Sequence, residues 1–137
     1  MRRQRGNYLL NKVITDLKIT KDKKLISWNF EGRLHQVQFT YPVLANHVVL
    51  LNEVIVQADV REFGEQNLLL FRADGSVKTR PEMPKLKHKV HGVYAVWFVP
   101  DELKLTVVLI SDECKLYDTA CTFDLKTHRF TNFHPTN

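Results

Sequence analysis

The sequence predicts an all-β protein built from antiparallel hairpins, arranged as a twisted sheet, a sandwich or a truncated propeller-like assembly. Short runs rich in β-branched and aromatic residues recur along the chain, and each is too short for an ordinary helix. Glycine or polar residues separate the runs at positions that suit tight turns. The chain has 137 residues, enough to bury one core, which predicts a single domain over residues 1–137.

The N-terminal segment is the one ambiguous part of this prediction. Residues 1–6 are charged and polar, and we expect them to be flexible. Between residues 7 and 20, apolar side chains fall at helical spacing, which predicts one short amphipathic helix. The alternation of side chains from Val13 to Ile19 fits a strand as well. The sequence leaves both alternatives open.

Two glycine-containing turns mark the clearest hairpins. Glu31-Gly32 and Asp74-Gly75 each lie between apolar runs, and glycine supplies the positive φ that such turns require. Short polar breaks give the other strand boundaries, and residues 134–137 form a polar tail. The predicted strands in chain order are residues 25–30, 33–41, 47–51, 54–60, 67–71, 76–79, 94–99, 103–110, 116–123 and 129–133.

Residues 91–130 contain three dense apolar runs, and we expect this stretch to form the core. Trp97 lies in the first run, where strict alternation places it on one face with Ala95 and Val99. We therefore predict that Trp97 is buried. The same argument predicts a buried Trp28, which lies in an apolar run nearer the N-terminus.

The strand–turn–strand units repeat along the chain at separations of roughly 40–50 residues, a period typical of propeller blades. The segment LYDTACTFDLKTHRF carries the pattern best. In this pattern the chain resembles small bacterial proteins built as a truncated β-propeller or a twisted β-sheet. Small β proteins of this kind often belong to toxin–immunity systems, so the resemblance implies binding to a toxin. It assigns no functional residue.

Charge is unevenly distributed along this basic chain, whose net charge is +5. Residues 1–24 carry a net charge of +6 and residues 72–91 carry +4, whereas the two remaining segments are acidic. Such basic blocks attract acidic protein surfaces or nucleic acid. The prolines and lysines of residues 80–91 predict an exposed loop without apolar partners. The candidate partner-binding residues in this loop are Lys85, Lys87, His88, Lys89 and His91.

The motifs of common enzymes and cofactor sites are absent from the sequence. It contains no glycine-rich phosphate loop, no GxSxG, no HExxH and no CxxC. We therefore predict no catalytic residue, no cofactor and no metal site. Six histidines in a basic chain could still supply the acid, base and cation of a metal-independent ribonuclease, such as His91 and Lys89 with His128 or His134.

Two cysteines and the apolar content bear on location. Cys114 and Cys121 would lie roughly 23 Å apart on one extended strand, at about 3.3 Å per residue, so we expect free thiols. Free thiols fit a reducing compartment. No apolar run reaches the length of a membrane-spanning helix, and the N-terminus lacks the features of a secretory signal. The sequence therefore predicts a cytoplasmic protein.

Three functions are compatible with these features. The first is a non-enzymatic protein-binding module, in its narrower form an immunity protein that neutralises a bacterial toxin by plugging its active site. The second is an RNA- or DNA-binding protein that uses the basic segments 1–24 and 80–91. The third is a small metal-independent ribonuclease. The absence of enzyme motifs favours the first.

Overall fold

The computed structural model describes residues 12–112 and 119–136. The predicted all-β fold is confirmed: three antiparallel sheets, each a meander of strands consecutive in sequence, account for most of the described chain. The strands are β1 Thr15–Ile19, β2 Leu25–Phe30, β3 Arg33–Gln38, β4 Leu44–Val48, β5 Glu53–Gln57, β6 Leu68–Arg72, β7 Val77–Thr79, β8 Val90–Trp97, β9 Lys104–Ser111, β10 Thr119–Asp124 and β11 Phe130–Pro135.

The N-terminal sheet contains β1, β2 and β3 in that order. Residues 15–19 form a strand, so the strand alternative holds for the described part of the N-terminal segment. The predicted flexible residues 1–6 lie outside the described residues. Glu31 and Gly32 both have positive φ, 53° and 74°, and they join β2 to β3 as the predicted two-residue turn.

The middle sheet contains β4, β5, β6 and β7 and differs from the prediction at two places. Residues 49–51, expected in a strand, form a 3₁₀ turn that ends at Asn52 in the left-handed region. The strand expected at residues 54–60 ends at Gln57, and a single helical turn follows, α1, Val60–Phe63. Asp59 begins that turn because its side chain accepts a hydrogen bond from the Arg61 N–H.

The hairpin at Asp74-Gly75 is present, and Gly75 has the predicted positive φ of 89°. The turn is one residue longer than predicted. The Gly75 N–H donates to the Arg72 carbonyl at 3.0 Å, and the Arg72 N–H donates to the Ser76 carbonyl at 2.8 Å. This pattern closes a three-residue loop with a glycine bulge, a common alternative to the two-residue turn.

The C-terminal sheet has the order β11-β10-β9-β8, so β8 and β11 are its edge strands. The three apolar runs of residues 91–130 supply its three neighbouring strands β8, β9 and β10. The start of the third run lies outside the described residues, as does Cys114. Residues 134 and 135, expected in a polar tail, instead belong to β11.

The core consists of two clusters, one on each face of the middle sheet, rather than a single cluster formed by residues 91–130. Val54, Val56 and Leu69 pack toward the N-terminal sheet. Ile55 and Leu70, on the opposite face, pack toward the C-terminal sheet. Strands β5 and β6 are continuous apolar runs because both of their faces are buried.

Candidate functional site

The basic loop of residues 80–91 forms neither helix nor strand before β8 begins at Val90. Lys85, Lys87 and Lys89 are exposed, as predicted. The expected lack of apolar partners is wrong, because Met83 and Leu86 pack against the core cluster of the C-terminal sheet. The loop therefore has an outer row of lysines and an inner row of apolar side chains.

Two of the five predicted partner-binding residues lie within hydrogen-bond distance of acidic side chains. The Lys89 ammonium lies 2.8 Å from the Glu65 carboxylate, and this pair lowers the pKa of Glu65 and raises the pKa of Lys89. His91 Nε2 lies 3.0 Å from Asp112 Oδ1. His88 is half-buried, which leaves Lys85 and Lys87 as the exposed cations of the predicted set without an ion pair among the described residues.

The surface beside this loop carries both signs of charge. A depression of about 380 Å³ is lined by Glu65 and Glu82 as well as by Lys85 and Lys89. A site for phosphate or for an acidic peptide usually concentrates cations, since each carboxylate nearby opposes an anionic ligand. The mixture of charges gives this depression no preference for an anion.

The histidines of the ribonuclease hypothesis are not brought together. His91 lies on β8 and His134 on β11, at opposite edges of the C-terminal sheet. Two strands separate them, which amounts to roughly 14 Å at about 4.8 Å per strand. His128 lies in the turn after β10, where its ring stacks on Phe123 at 6.4 Å. This arrangement does not place an acid and a base on one phosphate.

Trp97 is exposed, with 65% of its surface accessible, so the prediction that it is buried is wrong. The cause is a β-bulge in β8. Val93 pairs with Leu109, and Ala95 pairs with the next residue of β9, Val108, so Tyr94 is an extra residue. The extra residue reverses the alternation beyond it, which sends Trp97 to the outer face of the sheet.

The outer face of the C-terminal sheet carries a groove of about 550 Å³, here called the aromatic groove. Its floor follows a row of residues that are direct neighbours across all four strands: Ala95, Val108, Ala120 and His134. The small side chains of Ala95 and Ala120 on this row leave space between the larger side chains that line the groove. The residues lining the groove are Tyr94, Ala95, Trp97, Thr106, Val108, Ala120, His134, Pro135 and Thr136.

The aromatic groove contains no carboxylate, ammonium or guanidinium group and offers hydrogen-bond donors. None of its lining residues is Asp, Glu, Lys or Arg. Tyr94 and Trp97 are 62% and 65% exposed. Among the described residues, neither the Tyr94 hydroxyl nor the Trp97 indole N–H has a partner. Two large, exposed aromatic side chains above a floor that is apolar except for His134 form a surface suited to a partner.

Side chains from the middle sheet and the segments beside it hold the bulged part of β8 in place. The Asn67 side chain is buried; its Nδ2 donates to the Val93 carbonyl at 2.8 Å, and its Oδ1 accepts from the Val93 N–H at 2.8 Å. The Gln57 Nε2 donates to the Tyr94 carbonyl at 2.6 Å. A Cβ at Gly92 would lie 2.9 Å from Asn67 Oδ1, which explains the glycine there.

The structure gives no sign of metal or thiol chemistry in its described part. Within residues 12–112 and 119–136, no group of three or more His, Cys, Asp or Glu side chains could hold a metal ion. Cys121 is a buried free thiol, and burial raises its pKa to about 12, so it is a poor nucleophile at neutral pH.

Sequence reasoning missed the aromatic groove because it assigned Trp97 to the core. Gly92, a glycine inside the strand, was the available signal of irregular pairing. No helix in the described ranges is long and apolar enough to cross a membrane. No family model, curated protein or solved structure significantly matches the chain.

Proposed function

We propose that this protein is a non-enzymatic protein-binding module and that the aromatic groove is its contact surface. The observation that carries the proposal is the exposure of Tyr94 and Trp97, at 62% and 65%, in the lining of one groove. Tryptophan and tyrosine dominate the binding energy of protein interfaces, because they bury a large area with few rotatable bonds. In the free protein, exposing both side chains to water is unfavourable. A partner that covers them would recover this free energy.

The composition of the groove favours a protein over a nucleic acid. Single-stranded nucleic acids stack their bases on aromatic side chains, but they also need cations along the backbone. The groove lining contains no lysine or arginine. The exposed Lys85 and Lys87 lie in the basic loop, where they can raise the association rate of an acidic partner without forming the main contact.

Binding to a toxin domain is the narrower form of the proposal. It rests on the resemblance to small bacterial β proteins described above, and it adds a cytoplasmic location, with which the free thiol of Cys121 is consistent. Inhibitors of nucleases usually present acidic surfaces, and this chain is basic overall. An uncharged aromatic contact removes that difficulty, since it does not depend on imitating phosphates.

Site-specific cross-linking in the native cell tests the proposal. A photoreactive phenylalanine derivative at position 94 should cross-link a single protein, which is then purified. That partner should bind the wild-type chain and lose about 30-fold in affinity with Trp97→Ala, the loss typical of an interface hot spot. Leu34, which is 59% exposed on the N-terminal sheet, provides the control. Leu34→Ala should leave the affinity unchanged.

Two results would overturn the proposal. One is a purified partner that binds wild type, Trp97→Ala and Leu34→Ala equally well. The other is the recovery of RNA or DNA as the cross-linked species, with an affinity that falls steeply as salt rises, which would favour the nucleic-acid alternative. RNA cleavage in the presence of EDTA by the purified chain would favour the ribonuclease alternative.

A further inference from the structure

We infer that the ligand of the aromatic groove is a proline-rich peptide segment in the polyproline II conformation. This inference rests on the proposed function of the groove and names the kind of segment that a partner would place there. It follows from three properties of the groove: the blocked edge of the neighbouring strand, the surplus of hydrogen-bond donors, and the lack of charge.

The edge of β8 is already occupied at Val93 and Tyr94, next to the groove. Peptides that extend a sheet bond to the free backbone groups of an edge strand. At the bulge those groups already have partners, because the Asn67 side chain bonds both the N–H and the carbonyl of Val93. The Tyr94 carbonyl accepts from Gln57. At Val93 a ligand therefore cannot pair with the backbone of β8, which favours contact through the side chains and the carbonyl oxygens of the ligand.

The polar groups of the groove match a peptide that has acceptors and few donors. The Trp97 indole N–H can only donate, and the Tyr94 and Thr106 hydroxyls can donate as well. A polyproline II segment has no internal hydrogen bonds, so its carbonyl oxygens are all free. Each proline also lacks an N–H, so burying it leaves no donor without a partner.

The shape and charge of the groove fit the same ligand. Proline rings are compact and apolar, and they pack against exposed aromatic side chains. The small side chains of Ala95 and Ala120 leave space for such rings on the floor next to Trp97. A polyproline II segment is already rigid before it binds, so little conformational entropy is lost. An uncharged lining requires no charge on the ligand.

The intrinsic fluorescence of the chain provides the test. Of the two tryptophans, Trp28 is fully buried and Trp97 is 65% exposed, so acrylamide quenching reports on Trp97. The probe is a blocked decaproline peptide, and a blocked glycine–serine peptide of equal length is the control. Decaproline should protect Trp97 from quenching with a saturable Kd below about 1 mM. The glycine–serine peptide should not protect it.

Variants and salt locate the binding. Tyr94→Ala keeps the reporter and should weaken decaproline binding at least tenfold, whereas Leu34→Ala should not change it. The affinity should be the same at about 50 mM and about 500 mM salt, because no Asp, Glu, Lys or Arg side chain lines the groove. In the wild-type chain, decaproline should shift the backbone amide resonances of Trp97, Thr106 and Ala120, a measurement that does not depend on any variant.

Three results would overturn the inference: no saturable protection by decaproline, equal protection by the glycine–serine peptide, or binding that Tyr94→Ala leaves unchanged. The cross-linking experiment separates this failure from that of the proposed function. If the partner requires Trp97 but decaproline does not bind, the groove is a protein-binding site for a segment of another kind. If neither the binding of the partner nor the binding of decaproline depends on the groove, both proposals fail.

Discussion

The two tryptophans of this protein lie on similar apolar strands, but one is buried and the other is exposed. Trp28, on β2 of the N-terminal sheet, is fully buried, and its indole N–H donates to the Ala73 carbonyl at 2.7 Å. Its ring lies 6.1 Å from that of Phe71 in the middle sheet. Trp97, on β8 of the C-terminal sheet, is 65% exposed and has no such bond among the described residues.

The difference between the two tryptophans lies in the regularity with which β2 pairs with β3 and β8 pairs with β9. Strand β2 pairs with β3 without interruption from Leu25 to Phe30, so the alternation in its sequence predicts correctly which side chains are buried. Strand β8 contains two shifts of register against β9. One bulge is enough to exchange the faces of every residue that follows. Alternation in the sequence therefore predicts burial least well for an aromatic residue that lies beyond a bulge.

Substitution of each tryptophan by alanine should give the largest contrast. Trp28→Ala removes a large core side chain, so we expect its free energy of unfolding to fall by about 3–5 kcal/mol. Trp97→Ala should change it by less than about 1 kcal/mol, as exposed positions do. Urea unfolding followed by circular dichroism measures both. Equal losses would mean that the two sheets do not differ in the way described.

Replacement of Asn67 tests whether its side chain holds the bulged strand. Asn67→Ala leaves the buried backbone groups of Ala58 and Val93 without partners, so we expect a loss of about 2–3 kcal/mol. Asn29→Ala, which removes only an exposed bond to Asp16, is the matched control and should cost less than about 0.5 kcal/mol. A loss no greater for Asn67→Ala than for the control would exclude this role.

His47 gives the middle sheet a dependence on pH. Desolvation lowers the pKa of His47 below 6.5, and its Nε2 is buried without a partner among the described residues. The unfolded chain therefore binds this proton more readily, and the contribution to stability present above about pH 6.5 is lost as the pH falls toward the lowered pKa. The carboxylates with lowered pKa values, such as Asp59 and Asp124, titrate below this window.

Unfolding of the wild type and of His47→Gln at about pH 7.5 and pH 5.5 measures this effect. We expect the wild type to lose stability on acidification and the variant to lose less. Because the other histidines are the same in both chains, the difference between the two isolates His47. Identical losses in the two chains would show that His47 does not resist protonation in the folded state.

The lysines of the basic loop should have the smallest effect on folding. Changing Lys85, Lys87 and Lys89 together to glutamine removes one exposed ion pair among the described residues, so each change should stay within about 0.5 kcal/mol. Leu86→Ala, in the same loop, should cost more than about 1 kcal/mol because Leu86 packs against the core. Thermal unfolding compares them. A collapse of the lysine variant would mean that the outer row is structural.

Local chemistry accounts for the parts of the fold that were predicted. The runs at residues 25–30 and 103–110 form strands almost as expected, because their composition favours extended backbone. Gly32 and Gly75 lie in the two predicted hairpin turns. These turns require a positive φ, which glycine adopts with little strain. The turn at residues 49–51 was missed since three apolar residues there look like a strand. Its apolar composition gave no sign of the 3₁₀ geometry.

The sequence by itself determined where most of the strands and turns lie, because neighbouring residues and their backbone preferences decide them. Only the tertiary structure decided which side of β8 faces solvent. That choice depends on Asn67 and Gln57, which are distant in sequence and supply the partners that a regular strand pairing would otherwise provide. Contacts of this range leave no periodic signal in the chain, so the aromatic groove appears only once the sheets are packed.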